Sequence, residues 1–362
     1  MSPLPRTPPD DADATLTGSP AETAAPPDSR VTQWRGRVFT STSPVWIFLA
    51  LIVIVAVFGV MKPHEFLSSF DIKTIFINAS VALMLSVGMT FVIITAGIDL
   101  SVGSVLVFSG VLAAKVMIAV GGGSLHATTA GWGAIALGLA VGLVTGLGWG
   151  AINGALIAFL GIPPLIVTLG TFGMALGLAD VITGGVDVGG IPSQLGSSIG
   201  SGSLGPIPWL VVIAAVVTIV CGLVLHLTRF GRYTYAIGSN AEAVRRAGIN
   251  VNWHLIKVYS LAGLLSGLGG NLSLAYFTTT TISGHTTDNL TAISAVVIGG
   301  TSLFGGSGTM FGTVVGVFIP VVLASGLVIV GVQSFWQQVV IGAILIIAVY
   351  FDQLRRQSRS RR

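Results

Sequence analysis

The chain has 362 residues, 52% hydrophobic and only 8% charged, with a formal net charge of +4 and a mean hydropathy of +0.91. A soluble domain carries about 25% charged residues, so this composition cannot cover a water-facing surface. It predicts an all-α, polytopic transmembrane bundle and disfavours a β-barrel, whose strands would alternate polar and apolar residues in short segments.

Residues 1–43 differ from the rest. The opening MSPLPRTPPDDADATLTGSPAETAAPPDSR is rich in Pro, Ala, Asp, Ser and Thr and has no apolar run, so it reads as a disordered cytoplasmic tail. No short hydrophobic core follows the N-terminus closely, which argues against a cleavable signal peptide.

From residue 44 to 352 the chain reads as one membrane domain, followed by a basic cytoplasmic tail, 353–362. A helix needs about 20 mostly apolar residues to cross a bilayer. Runs of that kind predict spans at Val45–Met61, Ile75–Thr95, Val102–Val120, Gly131–Leu160, Leu165–Ile182 and Trp209–Leu227. After a polar stretch come Val258–Ala275, a short Leu290–Ile298, Met310–Val330 and Phe335–Phe351. The short piece cannot cross alone and reads as re-entrant, or as extending back into TTTTISGHTTD.

Charge tests this count. Of 17 Lys and Arg, four lie in the N-terminal tail, five in Arg229–Lys257 and five after Asp352. Six spans separate the first two clusters and four the last two, so all three share one side. The positive-inside rule makes that side cytoplasmic, giving ten spans with both termini inside.

Three features stand out along the chain. In AGIDLSVGS, Asp99 is placed to cap the helix that begins near Val102, accepting the backbone N–H of Ser101 or Val102. The alternative is a charge that serves the transport pathway. Gly138, Gly142, Gly146, Gly150 and Gly154 recur every fourth residue, a smooth groove that admits another helix closely. VIITAGIDLSVGS echoes VVIGGTSLFGGS at an offset of 203 residues, pairing Gly97 with Gly300 and Gly103 with Gly306, as two related halves would.

The polar segment Arg229–Lys257 predicts a two-turn helix at Asn240–Ala247. Ser239 and Glu242 have capping-box spacing. Arg245 and Arg246 suit the C-terminal end of the dipole, and Gly248 supplies a left-handed stop. So short a helix is not stable alone and must dock on something.

EAVRRAG, Glu242–Gly248, resembles the EAA-type coupling motif of ABC importer permeases. With AGIDLSVGS, NGALIAFLGIPPLIVTLGT, YAIGSNAEAVRRAGIN and AVVIGGTSLFGGSGTMFGT, in that order, the chain from Val45 to Phe351 resembles the ribose-type sugar permeases, which belong with the branched-chain amino acid permeases. The resemblance implies a permease subunit for a monosaccharide that pairs with a second permease copy as a homodimer. It also implies two cytoplasmic ATPases and an extracytoplasmic sugar-binding protein as partners. Glu242, Ala243, Arg245, Arg246 and Gly248 would form the ATPase-coupling element. Asn153, Thr168, Thr171 and Asn271, with Asp99 and Ser101, lie in or beside spans and are open either to substrate hydroxyls or to ordinary helix–helix hydrogen bonds.

Other readings are weaker. No Lys follows Gly, so the chain has no phosphate-binding loop and is not its own ATPase of that type. His64, His126, His226, His254 and His285 show no metal-ligand spacing, and no cofactor or metal is expected; His226 and His254 flank the polar segment and read as interfacial. Cys221 stands alone, which excludes an intramolecular disulfide. An ion-coupled secondary transporter would keep ionisable residues deep in the membrane, whereas Asp99, Lys115, Asp180 and His226 fall near span ends. Branched-chain amino acids and nucleosides remain alternative substrates.

Overall fold

A computed structural model describes residues 44–123, 125–333 and 335–360. The N-terminal tail and the last two arginines lie outside the described residues. The described chain is almost wholly helical. Its elements are α1 (Pro44–Met61), α2 (Ser69–Ile94), α3 (Val102–Val120), α4 (Trp132–Leu160), α5 (Pro164–Thr183), α6 (Trp209–Leu227), α7 (Arg229–Arg246), α8 (Val251–Phe277), α9 (Asp288–Ile298), α10 (Met310–Ile329) and α11 (Phe335–Ser360). A short antiparallel pair, β1 (Ser203–Leu204) and β2 (Ile207–Pro208), precedes α6.

Among the described residues, seven helices are long and apolar enough to cross a membrane: α2 to α6, α8 and α10. α2, α3 and α8 are mostly enclosed, whereas α4, α5 and α6 turn most of their residues outward. Val144, Phe159, Leu169, Val181, Ile219 and Leu227 are more than half exposed, which only a lipid environment makes favourable. The chain is a multi-pass membrane protein. α11 continues as helix to Ser360, so the basic terminal stretch expected as a separate tail prolongs the last helix.

The glycine row of α4 is filled. All five glycines are buried. A methyl at Gly146 would strike the Gly263 carbonyl, one at Gly150 the Tyr259 carbonyl and one at Gly154 the Ile256 backbone. Gly263 and Gly267 of α8 face α4 in return, so the two backbones touch directly, as small-residue interfaces allow. The row is a packing seam.

α9 is half a span. At 1.5 Å per residue its 11 residues reach only about 16 Å. Beyond α8 the chain turns at Thr278, in the left-handed region at φ 57°, and runs back inward. There the His285 Nε2 lies 2.7 Å from the Ser273 Oγ of α8. Asn289, in the first turn of α9, donates to the Leu100 carbonyl at 3.1 Å. The irregular stretch 278–287, which includes one 3-10 turn at Ser283–His285, and α9 therefore complete one passage together. The starts of α3 and α9 lie side by side, since a methyl on Gly103 would strike the His285 carbonyl.

Candidate functional site

α7 carries the expected coupling segment, and its geometry corrects one expectation. The helix is broken at Asn240 (φ −163°, ψ 93°). Asn240, not Ser239, is the N-cap of the second piece: its Oδ1 accepts the Ala243 N–H at 2.9 Å. Ser239 is still inside the first helix, and its hydroxyl donates to the Tyr235 carbonyl one turn back at 3.0 Å. The capping box with Glu242 therefore does not form. Glu242 instead faces Arg245 at 3.8 Å and Arg246 at 3.5 Å along the exposed surface, contacts of small energetic weight.

The C-terminal end agrees with the sequence. Gly248 lies at φ 80°. Its N–H donates to the Arg245 carbonyl and the Ile249 N–H to the Val244 carbonyl, at 3.0 and 3.3 Å, the paired bonds of a Schellman stop. Val244 is buried with Ile237 and Val251, and Ile249 packs against them. The short helix is thus pinned by one apolar side and holds Glu242, Ala243, Arg245 and Arg246 outward.

The first piece of α7 is wedged between the two loops that echo each other. A methyl on Gly238 would overlap the Ile94 carbonyl and crowd the Gly306 nitrogen. The Gly306 N–H itself donates to Ile94 at 2.9 Å, and the Tyr235 hydroxyl donates to the Gly308 carbonyl at 2.8 Å. Burial pushes the Tyr235 phenol up from its ordinary pKa, so it remains a donor. Both loops begin with one stop motif. Ala96 and Gly97 donate back to Ile93 and Val92, as Gly300 and Thr301 do to Val297 and Val296. Ala96 and Gly300 take left-handed φ values of 61° and 88°. This pairing has an offset of 204, one more than the sequence echo.

The loop 95–101 is held from several sides. The Asp99 Oδ1 accepts the Ser101 N–H at 2.9 Å and the Ser101 hydroxyl at 2.6 Å. The Ser101 Oγ accepts from the Asn153 amide of α4 at 2.8 Å. Ser101, not Asp99, occupies the N-cap position of α3 and makes no side-chain cap bond; Asp99 holds the turn two residues ahead of the helix. The Thr168 hydroxyl of α5 lies 2.8 Å from the Pro164 carbonyl and 3.3 Å from that of Ile98. Tyr259 of α8 packs against Gly97.

Thr171 and Asn271 stand apart from this cluster. Thr171 donates to Thr168 within α5, and Asn271 donates to the Leu139 carbonyl of α4 at 2.9 Å. Of the two histidines expected at an interface, His254 is packed inside, whereas His226 is exposed. His254 is buried and lies 2.9 Å from the Thr234 hydroxyl, and the His226 Nε2 accepts the Met310 N–H. Among the described residues no cluster of His, Cys, Asp or Glu could hold a metal.

A second feature escaped the sequence reading. At the face opposite α7, a cleft of about 820 Å³ opens between α2, α9, α10 and α11. Asp71, Thr74 and Asn78 of α2 meet Thr287, Asp288 and Thr291 of the α9 start there. The polar run TTTTISGHTTD was its only sequence signal, because α2 supplies the other wall from 200 residues away.

Comparison with known proteins decides what this arrangement belongs to. Residues 72–349 match the model of the family described as branched-chain amino acid transport system / permease component. The chain belongs to that family. Among curated relatives, the permease resembles the ribose import permease protein RbsC of Bacillus subtilis (strain 168), 38% identical over 307 residues, 84% of this chain and 91% of that protein. The D-allose transport system permease protein AlsC of Escherichia coli (strain K12) is 35% identical over 307 residues, 85% and 90%. The fructose import permease protein FrcC of Rhizobium meliloti is 34% identical over 327 residues, 88% of each chain. No solved structure matches the permease.

Proposed function

We propose that this chain is the membrane subunit of an ATP-binding cassette importer that carries a monosaccharide into the cell, with ATP hydrolysed by a partner chain. The observation that carries this is similarity to three sugar permeases over more than four-fifths of the chain. The exposed helix after Asn240 supports it: it is short, rigidly stopped at Gly248 and offers Glu242, Ala243, Arg245 and Arg246 to a partner. It joins the spans through Gly238, beside Ile94 and Gly306. A push on it is thus delivered to both loops at once.

In this reading α7 faces the cytoplasm, α1 and α11 complete the count of ten passages, and both termini are cytoplasmic. Two copies pair in the membrane, each bound to an ATPase, and a sugar-binding protein docks on the opposite face. Asp99, Ser101, Asn153 and Thr168 act as a hydrogen-bonded hinge at the buried start of α3, while Thr171 and Asn271 serve helix packing.

The test is uptake of labelled D-ribose, D-allose or D-fructose into proteoliposomes. The chain alone should accumulate none; the chain with its ATPase and binding protein should accumulate at least one, dependent on ATP. Uptake that survives ATP depletion and collapses with the proton gradient would instead establish an ion-coupled carrier.

A further inference from the structure

The cleft opposite α7 has a chemistry of its own. Asp71 is 8% exposed and lines it; its Oδ1 accepts the Ser325 hydroxyl at 2.6 Å, while its Oδ2 has no partner. Such an atom costs free energy where it lies unless something donates to it. The side chains of Asn78, Thr287 and Thr291 also line the wall. Asp288, at the first position of α9, has its Oδ2 2.7 Å from the His285 Nδ1, and His285 is fixed by Ser273 on its other nitrogen. That chain orients the Asp288 carboxylate.

The lining is acidic. Asp71, Asp288 and Glu65 line the cleft, Glu65 being paired with Lys62 at 3.9 Å, and no Lys or Arg lines it among the described residues. A neutral polyol offers hydroxyl donors to those carboxylates and acceptors to the amide and threonine hydroxyls. An α-amino acid brings a carboxylate that would lie beside the Asp71 and Asp288 carboxylates, a pairing that costs several-fold or more in affinity.

We infer that this cleft is the entry subsite for the transported sugar: Asp71, Asn78, Asp288 and Thr291 bind neutral polyhydroxyl solutes and reject α-carboxylates. The inference rests on the sugar-importer reading and adds to it the place and chemistry of selection. Its volume exceeds that of one monosaccharide, leaving room for the solute with its water.

The experiment uses the assembled transporter in proteoliposomes, with D-ribose, D-allose, D-fructose and L-leucine as probes. Asp71→Asn keeps an oxygen for Ser325 and turns the free acceptor into a donor; Thr291→Val removes a hydroxyl at constant shape. Each should lower uptake at subsaturating sugar by about tenfold, the loss of a hydrogen bond to a charged or buried partner. Stability in detergent and ATP hydrolysis stimulated by the binding protein should stay as in the parent.

A second arm does not depend on those variants. Thr291→Cys, with the buried Cys221→Ser, should react with a membrane-impermeant thiol reagent, lose uptake on reaction, and be protected by the transported sugar but not by L-leucine. Parental uptake in both Asp71→Asn and Thr291→Val, or a modified Cys variant that still transports, would overturn the subsite while leaving the importer reading intact. A parent complex that moves L-leucine and none of the three sugars overturns the sugar reading, and the subsite with it.

Discussion

The Tyr235 hydroxyl donates to the Gly308 carbonyl at 2.8 Å across 73 residues of sequence. Tyr235 belongs to the helix that leads into the exposed segment Glu242–Gly248, and Gly308 to the loop between α9 and α10. The bond ties the two at the point where Gly238 leaves no room for a side chain. Tyr235→Phe removes the hydroxyl alone. Stability should fall by about 1 kcal/mol, the net worth of one hydrogen bond, with ATPase assembly unchanged. Uptake per ATP hydrolysed should fall measurably; an unchanged ratio in proteoliposomes would show that the bond has no part in transmission.

Asp99 accepts two hydrogen bonds from Ser101 through one oxygen. An amide oxygen can accept the same two, so Asp99→Asn should melt within a few degrees of the parent. Asp99→Ala leaves the Ser101 N–H and hydroxyl buried without an acceptor, at about 1–3 kcal/mol for each such group. Thermal unfolding in detergent measures both. If Asp99→Asn assembles and melts normally yet fails to transport, the charge itself is the function and the turn is secondary.

Gly248 stands at φ 80°, where an L side chain costs about 1–2 kcal/mol. No atom would crowd an added methyl there, so Gly248→Ala and Gly248→Val test conformation and not space. Gly248→Val should unwind the end of the short helix and weaken co-purification with the ATPase by roughly tenfold, while the spans still insert. Full recruitment in that variant would reduce the segment to a connector.

Gly146 meets the Gly263 carbonyl directly. Gly146→Leu must push α4 and α8 apart along a seam where both helices are backbone against backbone, and overpacking of this kind costs about 1–3 kcal/mol or more. Expression and melting should drop sharply. Gly148→Leu, at an exposed position where an added methyl meets no neighbour, should be tolerated, and equal loss in both would refute the seam.

Much of this architecture was legible along the chain. Each long apolar run became a helix, because crossing a bilayer demands internal backbone hydrogen bonding over a fixed length, though α2 and α8 begin earlier and α11 ends later than their apolar runs. The short helix after Asn240 was legible too, since Gly248 needs only local φ freedom and the arginines only a helix end. Its start was misplaced by one residue: Ser239 has the spacing of a cap, but packing of Gly238 against Ile94 keeps that turn helical, and the break falls at Asn240.

What the sequence determined by itself was therefore the environment, the helix runs and the local stops, all set by short-range chemistry and by composition. Which surfaces meet was decided by the tertiary structure alone. The glycine spacing predicted a groove but could not name α8 as its occupant. The echo at 203 residues pointed to two related loops, yet the matching stop motifs fall at 204, because hydrogen bonding to the preceding turn and not residue identity aligns them. Asp71 and Asp288 are separated by more than 200 positions and carry no shared pattern. Only the inward run of 278–287 and the halved α9 bring their carboxylates to one cleft, since a helix that starts inside the membrane presents its first turn there instead of at the surface.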